Sequence, residues 1–463
     1  MAVKNVYCAQ TEFDNAVNNG LANLYVDHVR RQQFLFERLI NHFGLTYLLI
    51  ASGTHTYHFK DDREYPFKVN PYFKQWIPLT QSPGSYVLLM PKRKPILFLN
   101  KPEDCWMVWP GLESCDFYAE EVISNEFEVI EIRSNQEIST HLPPTSSQTG
   151  EGAFIGPNAC LHSDWPIKFI NDDAIVNFIN YHRRFKTTYE VSCLYQANKA
   201  SAPGHRHAFE IFKAGGSEMD IFMAYINAIQ TSQQDAPYEP IVAENEHAGV
   251  LHYQLKAKTK PTQLHSLLID AGASFAGYGS DISRTYSYRD KAFGDLIVQF
   301  DALQQGLVQC IEVGMTFDEL NQCSRNAIAE FMVANQLASC SAEALLEGGL
   351  VEYFSPHGVS HFLGLQVHDV GWNLRDETGL CHAPVSGARG KEDRKIEPGM
   401  VFTVEPGIYF IQSKLDELRS GDMRHVFNWN RIDQLVPFGG IRIEDNISVG
   451  DMFAVNLTRL SLK

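Results

Sequence analysis

The pattern of apolar and polar positions in the first part of the chain predicts a mixed α/β domain. Apolar residues recur at helical spacing over residues 21–44. Three short apolar runs, at 46–52, 85–90 and 95–99, are bounded by Pro, Gly and Lys and are typical of buried strands. The segment 58–79 between them is rich in aromatic residues and proline and follows no regular period.

The segment 58–79 has two interpretations. A long ordered loop often carries function or an interface, whereas an irregular packing element fits the same composition. Asp61, Asp62 and Arg63 give this loop charge that could reach a neighbouring site.

The second part of the chain starts with a helix. Thr187 and Glu190 have the spacing of a capping box, which predicts a helix start at this point. The region 142–166 before it is the most loop-like of the chain, and we expect the domain boundary near 175–186. A chain of 463 residues is long enough for two domains. The predicted domains are 1–180 and 181–463.

Further helices and strands follow in the second domain. Helices are expected at 218–233, 292–313 and 316–337, the last with a capping box formed by Thr316 and Glu319. Strand-like patterns occur at 238–254, where two short strands surround a turn, at 397–410 and at 439–449.

The stretch HSLLIDAGASFAGYGSDISRTY, residues 265–286, reads as two strands around a glycine-rich turn. Asp270 directly follows a buried apolar run, and Asp281 opens the second strand. A buried carboxylate is costly unless it is neutralised, and a metal ion would neutralise it. A strand cap and a turn start would also explain the two aspartates.

Other polar residues of this domain could belong to the same site as the two aspartates. Glu405 ends the strand-like run MVFTVE, and Arg442 and Glu444 would share one face of a strand. The segment 355–369 holds three histidines, His357, His361 and His368. Alternatively, Arg442 and Glu444 lie on an exposed strand face, and the three histidines have structural roles.

Asp270, Asp281, His361, Glu405 and Glu444 together form a hard, oxygen-rich ligand set. Such a set favours Mn²⁺, or another divalent ion such as Co²⁺, Zn²⁺ or Fe²⁺, over a thiolate zinc site. Four carboxylates match the charge of two divalent cations. Two such ions can activate water and polarise a carbonyl, so hydrolysis is the natural chemistry.

Several stretches resemble one family: LLIDAGASFAGYGSDISRTY, PHGVSHFLGLQVHDVG, EPGMVFTVEPGIYF, FGGIRIEDNI, FKDDREYPFKVNPYFKQW and NWNRIDQLVPFGG. They are similar to the metallopeptidases with the pita-bread fold, and within these to bacterial Xaa-Pro dipeptidases, or prolidases. The γ-proteobacterial subgroup of prolidases includes the organophosphorus acid anhydrolases. The resemblance implies an α/β (α+β) protein with a mixed-sheet N-terminal domain. Its C-terminal pita-bread domain would carry the metal site on a curved antiparallel sheet.

The resemblance implies a role for each candidate ligand. Asp270 would bind one ion, Asp281 and Glu444 would bridge two ions, and His361 and Glu405 would complete the second coordination shell. His361 is chosen because it lies seven residues before His368, a spacing found in related methionine aminopeptidases. The ions would be two divalent cations, with Mn²⁺ as the first choice.

The resemblance also assigns catalytic and substrate-binding residues. Glu405 would move protons, and His252 would contact the scissile carbonyl or the oxyanion. His368 would contact the substrate during catalysis. The residues that would bind the substrate are His357, Arg442, Tyr238 and His368.

Two features of the chain qualify the resemblance. Ser360-His361-Phe362 stands where the family often has a Gly-His pair, but the ligand histidine is kept. The polar loop 382–395 is expected to overhang the pocket and to influence which N-terminal residue is accepted.

The implied activity is hydrolysis of dipeptides with C-terminal proline, with a hydroxide held between the two ions and with side hydrolysis of organophosphorus compounds. The alternative enzyme is an aminopeptidase P, which acts on longer Xaa-Pro peptides. A non-catalytic peptide-binding module with this fold is a third reading. A homodimer is expected, because in this family the N-terminal domain of a partner subunit forms part of the pocket wall. Asp61 or Asp62 would then lie near the active site of the neighbouring subunit.

Composition narrows the partners and the location. A net charge of −16 argues against nucleic-acid binding. No apolar run is long enough for a membrane span, and the N-terminus lacks the apolar core of a signal peptide. Nine cysteines without a C-x-x-C pair suggest reduced thiols and a cytoplasmic protein.

Overall fold

The computed structural model describes residues 2–114, 120–145, 150–232, 234–381 and 394–462. The helices are α1 (Ala2–Phe43), α2 (Pro71–Lys74), α3 (Glu120–Glu126), α4 (Asp173–Arg183), α5 (Thr188–Lys213), α6 (Glu218–Ile229), α7 (Lys291–Gln309), α8 (Phe317–Ala334), α9 (Ala342–Glu347), α10 (Gln412–Ser420), α11 (Trp429–Leu435) and α12 (Leu457–Ser461).

The strands are β1 (Leu45–Ala51), β2 (Tyr86–Leu89), β3 (Ile96–Asn100), β4 (Glu128–Ile132), β5 (Glu151–Ile155), β6 (Ile167–Ile170), β7 (Ile241–Glu244), β8 (Ser266–Asp270), β9 (Ser274–Phe275), β10 (Tyr278–Gly279), β11 (Ser283–Ser287), β12 (Val401–Val404), β13 (Gly407–Tyr409), β14 (Gly440–Arg442), β15 (Asp445–Val449) and β16 (Ala454–Asn456).

The N-terminal part contains a six-stranded mixed sheet in the order β4-β3-β2-β1-β5-β6. β1 pairs antiparallel with β2 and parallel with β5. The three strands predicted from apolar runs correspond to β1, β2 and β3, and the predicted helix 21–44 is the C-terminal half of a longer helix, α1. The loop 58–79 contains α2 and buries Phe67, Phe73 and Trp76, so part of it is core.

The C-terminal part is built on small antiparallel sheets flanked by helices. Among the described residues, their strand orders are β11-β8-β7, β10-β9, β12-β15-β16 and β13-β14. Both predicted capping boxes are present. The hydroxyl of Thr187 accepts a hydrogen bond from the backbone N–H of Glu190 at the start of α5, and Thr316 accepts one from Glu319 at the start of α8. In both boxes the glutamate side chain also accepts the backbone N–H of the threonine. The two bonds of each box satisfy amide groups that the first helical turn leaves unpaired.

Two local predictions were wrong. Residues 238–254 form one strand, β7, and not two. After β7 the chain turns at Asn245, which has a φ of 58°, and its side-chain oxygen accepts the backbone N–H of His265 at 2.7 Å. The predicted single strand through Arg442 and Glu444 is divided into β14 and β15, because the Glu444 N–H leaves the ladder and donates to the carbonyl of Ser283 at 3.0 Å.

Two further expectations, one about a loop and one about membrane spans, can be compared with the described residues alone. The loop 382–395, which was expected to overhang the pocket, lies outside the described residues except for its last two positions. Among the described helices, none combines the length and apolar character needed to cross a membrane.

Candidate metal and active site

The hairpin of β8 and β11 brings Asp270 and Asp281 together. Asp270 ends β8 opposite Ser283, the first residue of β11. The backbone of Asp281 is held by Asn446, whose Oδ1 accepts the Asp281 N–H at 3.0 Å. The hydroxyl of Tyr238 lies 2.8 Å from Oδ1 of Asp270 and 2.6 Å from Oδ1 of Asp281. Both carboxylates therefore face one point.

Three other segments bring the remaining candidate ligands to this point. Nε2 of His361 lies 3.5 Å from Oδ2 of Asp281 and 3.5 Å from Oε1 of Glu405. Ligand atoms of Asp281, His361 and Glu444 all lie within 4.8 Å of one another. The five residues proposed as ligands, which are spread over 175 positions of sequence, thus form one cluster.

The orientation of the His361 ring suits a metal ligand. Its Nδ1 lies 3.0 Å from the carbonyl oxygen of Phe362, which can only accept a hydrogen bond. In the neutral ring the proton is therefore on Nδ1, and the lone pair of Nε2 points toward the carboxylates. Ligand histidines are commonly oriented by such a bond from the opposite nitrogen.

Burial of several carboxylates at one place disfavours their charged forms. Burial and the charge of Asp281 raise the pKa of Asp270 to about 6. Burial raises the pKa of Glu405 to about 7, and burial together with neighbouring carboxylates raises the pKa of Glu444 well above its usual value. The pKa of Asp281 is lowered although burial opposes this, because His361 bonds to it.

The cluster therefore fits divalent cations. It offers carboxylate oxygens and one imidazole nitrogen, the donors preferred by Mn²⁺ and similar ions. It also carries more buried negative charge than His361 and Arg442 neutralise, as the raised carboxyl pKa values show. Cations would relieve this imbalance.

A second group of residues lies beside the carboxylates. Arg442 donates from Nε to Oγ of Ser283 at 2.9 Å, from Nη1 to the hydroxyl of Tyr409 at 3.1 Å and from Nη2 to Oδ2 of Asp270 at 2.8 Å. The same tyrosine hydroxyl lies 2.8 Å from Nε2 of His357. Oγ of Ser283 in turn donates to Oε2 of Glu444 at 2.7 Å. Arg442 and Glu444 thus meet at one serine, although Arg442 ends β14 and Glu444 lies in the break before β15.

Sequence reasoning missed Tyr409 and Ser283. Tyr409 is fully buried and joins His357 to Arg442, and Ser283 joins Arg442 to Glu444. Both lie inside stretches that resemble the family, EPGIYF and SDISRTY. The resemblance could therefore have indicated these two residues as well.

The remaining predicted histidines border the cluster. The ring of His368 is exposed, and its centroid lies 4.4 Å from that of His361. His252 is exposed. Burial lowers the pKa of His357 to about 4, and the charges of Arg442 and His252 act in the same direction. His252 is therefore close enough to influence His357 electrostatically. Asp61 and Asp62 are exposed on the N-terminal domain.

Residues 192–451, more than half of the chain, match the model for metallopeptidase family M24. The chain belongs to metallopeptidase family M24. In this M24 protein, residues 23–181 match a second model, described as the N-terminal domain of Xaa-Pro dipeptidase. The family resemblance found in the sequence is confirmed, whereas membership of the organophosphorus acid anhydrolase subgroup stays a prediction.

Named relatives match this M24 chain along nearly its whole length. Xaa-Pro dipeptidase 1 of Idiomarina loihiensis is 39% identical over 94% of this chain and 95% of its own. Xaa-Pro dipeptidase of Pectobacterium carotovorum is 40% identical over 95% of this chain and 98% of its own.

Solved structures with the same fold are more distant in sequence. Zinc-substituted E. coli aminopeptidase P in complex with product has a TM-score of 0.68 at 20% identity, covering 94% of this chain and 96% of that one. Proline aminopeptidase P II from Yersinia pestis has a TM-score of 0.67 at 20% identity, covering 96% and 97%. These similarities confirm the predicted pita-bread fold of this M24 protein.

Proposed function

We propose that this protein is a metallo-dipeptidase that hydrolyses the imide bond of Xaa-Pro dipeptides. The observation that carries this proposal is the similarity of about 40% identity to Xaa-Pro dipeptidases along both domains. The match of residues 23–181 to the N-terminal domain of that enzyme class supports it further. The cluster around Asp270 supplies a site with hydrolytic chemistry.

The five clustered residues would hold two divalent cations, with Mn²⁺ as the first candidate. The roles follow the sequence resemblance: Asp270 on one ion, Asp281 and Glu444 between the two, and His361 and Glu405 on the second. Four carboxylates with shared burial support this number of ions, because they balance four positive charges. When bound, the ions supply Lewis-acid polarisation of the scissile carbonyl and activate water at neutral pH.

The protein's own residues would orient the substrate and move protons. Glu405 is the proposed proton carrier, as the sequence resemblance implies, because a carboxylate beside the reacting water can accept and return a proton. His252 and His368 border the cluster and would contact the scissile carbonyl or the developing oxyanion. Tyr238 lies between Asp270 and Asp281, where it would both orient the two carboxylates and line the pocket.

Arg442 and His357 would bind the proline end of the dipeptide. Arg442 uses one N–H on each of its three nitrogens for Ser283, Tyr409 and Asp270. A guanidinium has five N–H donors, so one donor on each terminal nitrogen is left for a carboxylate. Arg442 can therefore bond to Asp270 and bind the substrate carboxylate at the same time.

The alternative enzyme, an aminopeptidase P, has the same fold, and its solved structures match this chain. Their identity of 20% is half that of the Xaa-Pro dipeptidases, which favours the dipeptidase. Comparing kcat/KM for Ala-Pro and for Ala-Pro-Ala separates the two. We expect the dipeptide to be preferred, and preference for the tripeptide would reverse the assignment.

The direct test of the proposal is chelation followed by reconstitution. Purified protein is stripped of metal, supplied with Mn²⁺, Co²⁺ or Zn²⁺, and assayed on a panel of Xaa-Pro dipeptides. Activity should vanish on chelation and return best with Mn²⁺. A protein that binds no metal would instead be a peptide-binding module. Organophosphorus esters can be included in the same assay, because hydrolysis of such compounds is a further prediction.

We propose that the protein is a homodimer. Its N-terminal domain exposes apolar side chains on two loops, among them Phe59, which is 88% exposed, and Trp106, which is 91% exposed. Exposed apolar side chains that lie together commonly mark protein interfaces, and we propose that these two loops take part in the contact between the subunits. Asp61 and Asp62 adjoin Phe59 and could thereby reach a partner's pocket. Sedimentation of the wild type and of a Trp106→Ser variant would test the assembly.

The boundary between the domains is proposed to lie near residue 180. The two family matches support it, since one ends at residue 181 and the other begins at residue 192. A cytoplasmic location remains a prediction, as does the absence of nucleic-acid partners.

A further inference from the structure

Lys74 joins the N-terminal domain to two loops of the metal cluster. Lys74 is the last residue of α2 and is partly buried. Its Nζ donates to the carbonyl oxygen of Gly277 at 3.0 Å and to the carbonyl oxygen of Leu365 at 3.0 Å. These two carbonyl groups are 88 positions apart in sequence, and a single ammonium group holds both.

Each of these loops carries candidate site residues at both ends. Gly277 lies in the turn of the hairpin that begins after Asp270 and ends at Asp281. Leu365 lies between His361 and His368. The two loops also contact each other, because the N–H of Gly279 donates to the carbonyl of Gly364 at 3.1 Å. A displacement at this junction would therefore move carboxylate and imidazole groups together.

The anchor is rigid on the side of the N-terminal domain. Asn70 caps α2 by accepting the Tyr72 N–H at 3.0 Å, and its Nδ2 donates to the carbonyl of Ala51 at the end of β1 at 2.8 Å. Phe73, next to Lys74, is fully buried in the core. The position of Lys74 is thus determined by β1, one of the two central strands of the six-stranded sheet.

The contact is also close on the side of the hairpin. Gly277 has a φ of 84°, and a Cβ atom at this position would lie 2.9 Å from Cδ of Lys74. A glycine is needed here both for the left-handed backbone and for the approach of the lysine stem. The lysine therefore packs against the turn and does not merely reach toward it.

We propose that Lys74 is a positioning residue that sets the geometry of the metal ligands from the N-terminal domain. The inference rests on the proposed metal site and gives the N-terminal domain a role in activity within its own chain. Removing the ammonium would leave two carbonyl groups without their shared donor and would loosen the hairpin turn and the histidine loop. The ligands would remain present but would lose their mutual placement.

The test compares Mn²⁺ affinity, measured by calorimetry on metal-free protein, for the wild type and Lys74→Met. Direct hydrogen-bond partners of metal ligands typically contribute about 10-fold or more to metal affinity. Lys74 acts through the backbone of two loops and not through a direct bond to a ligand, so we expect a loss of about 10-fold, the lower end of that range. kcat for Ala-Pro should fall while KM changes little. The control is Lys101→Met, which removes an N-terminal-domain lysine whose Nζ bonds to Glu131 in the same domain. It should leave metal affinity unchanged.

Lys74→Gln provides a second variant in case the methionine variant does not fold. Glutamine is shorter than lysine and can reach at most one of the two carbonyls, so Mn²⁺ affinity should still fall, but by less. Unchanged affinity in a folded Lys74 variant would overturn the proposal. If the wild type binds Mn²⁺ but cleaves no Xaa-Pro dipeptide, the proposed activity fails while the affinity comparison still decides the role of Lys74.

Discussion

Nη2 of Arg442 donates to Oδ2 of Asp270 at 2.8 Å, and this ion pair spans 172 positions of sequence. Both side chains are largely buried, at 5% and 14% exposure. Arg442 is therefore one of the two cations, with His361, that partly neutralise the carboxylate cluster in the absence of metal. Its charge lowers the pKa of Asp270, although burial and Asp281 raise that pKa more strongly.

Arg442→Met should destabilise the metal-free protein more than the metal-loaded protein. Removal of one partner of a buried ion pair costs about 3 kcal/mol, because the other charge stays buried without compensation. Bound cations would compensate Asp270, so the loss should shrink when Mn²⁺ is present. Urea unfolding with and without Mn²⁺ measures both values. Arg38→Met, at an exposed pair with Glu377, should cost under about 1 kcal/mol in both states. An equal loss for Arg442→Met in both states would contradict this account.

The metal-free protein should become less stable as the pH rises from about 4 to about 7 through these carboxyl groups. Burial raises the pKa of Asp270 from 3.8 to about 6 and that of Glu405 from 4.5 to about 7. In this window the folded state binds more protons than the unfolded state, so the free energy of unfolding falls with rising pH.

The increase in Tm caused by Mn²⁺ should therefore grow with pH, because cations stabilise the ionised carboxylates and compete with protons. Thermal unfolding with and without Mn²⁺ at about pH 5 and about pH 8 measures the difference. Glu405→Gln, which removes one of the titrating groups, should flatten the dependence. A Tm increase that is constant across this range would show that the cluster does not exchange protons for metal.

Asp281→Asn should weaken both metal ions together. Asp281 contacts His361 and Tyr238 and lies within reach of Glu444, which places it at the centre of the cluster. After dialysis, the Asp281→Asn variant should have lost both equivalents of Mn²⁺ to a similar extent. Asp235→Asn, at a half-buried aspartate that accepts a hydrogen bond from Ser232, is the matched control and should retain the wild-type content. Loss of a single ion would show that Asp281 does not bridge.

Local sequence patterns predicted the parts of the site that depend on neighbours along the chain. The hairpin carrying Asp270 and Asp281 follows from two strand-like segments around a glycine-rich turn, and the start of α5 follows from the spacing of Thr187 and Glu190. Such features need only a few adjacent residues. The positions of His361 and Glu405 within their motifs were predicted by resemblance, and the structure brings both residues to the hairpin.

Contacts between distant segments could not be predicted in this way. The bonds of Lys74 to Gly277 and Leu365 cross between domains, and no periodicity in either segment indicates them. The break between β14 and β15 likewise depends on Ser283, which takes the Glu444 N–H out of the strand ladder. Tertiary hydrogen bonding overrides the strand pattern at that point.

Tyr409→Phe should impair substrate binding more than turnover. Nδ1 of His357 lies 2.8 Å from the carbonyl of Gly358, so this nitrogen carries the proton and Nε2 accepts from the hydroxyl of Tyr409. The same hydroxyl accepts from Arg442 at 3.1 Å. Tyr409 thereby orients both residues proposed to hold the proline end, and its own pKa is raised to about 12, chiefly by burial, so it stays a donor.

Loss of this hydroxyl removes bonds worth about 1 kcal/mol, which corresponds to a rise in KM for Ala-Pro of roughly five-fold. kcat and Mn²⁺ content should change little, because Tyr409 makes no bond to the candidate ligands. Tyr353→Phe is the matched control, since its hydroxyl bonds to the exposed Glu417 at 2.9 Å, away from the cluster. Steady-state kinetics on both variants distinguishes the outcomes. A fall in kcat at unchanged KM would place Tyr409 in the chemical step and not in binding of the proline end.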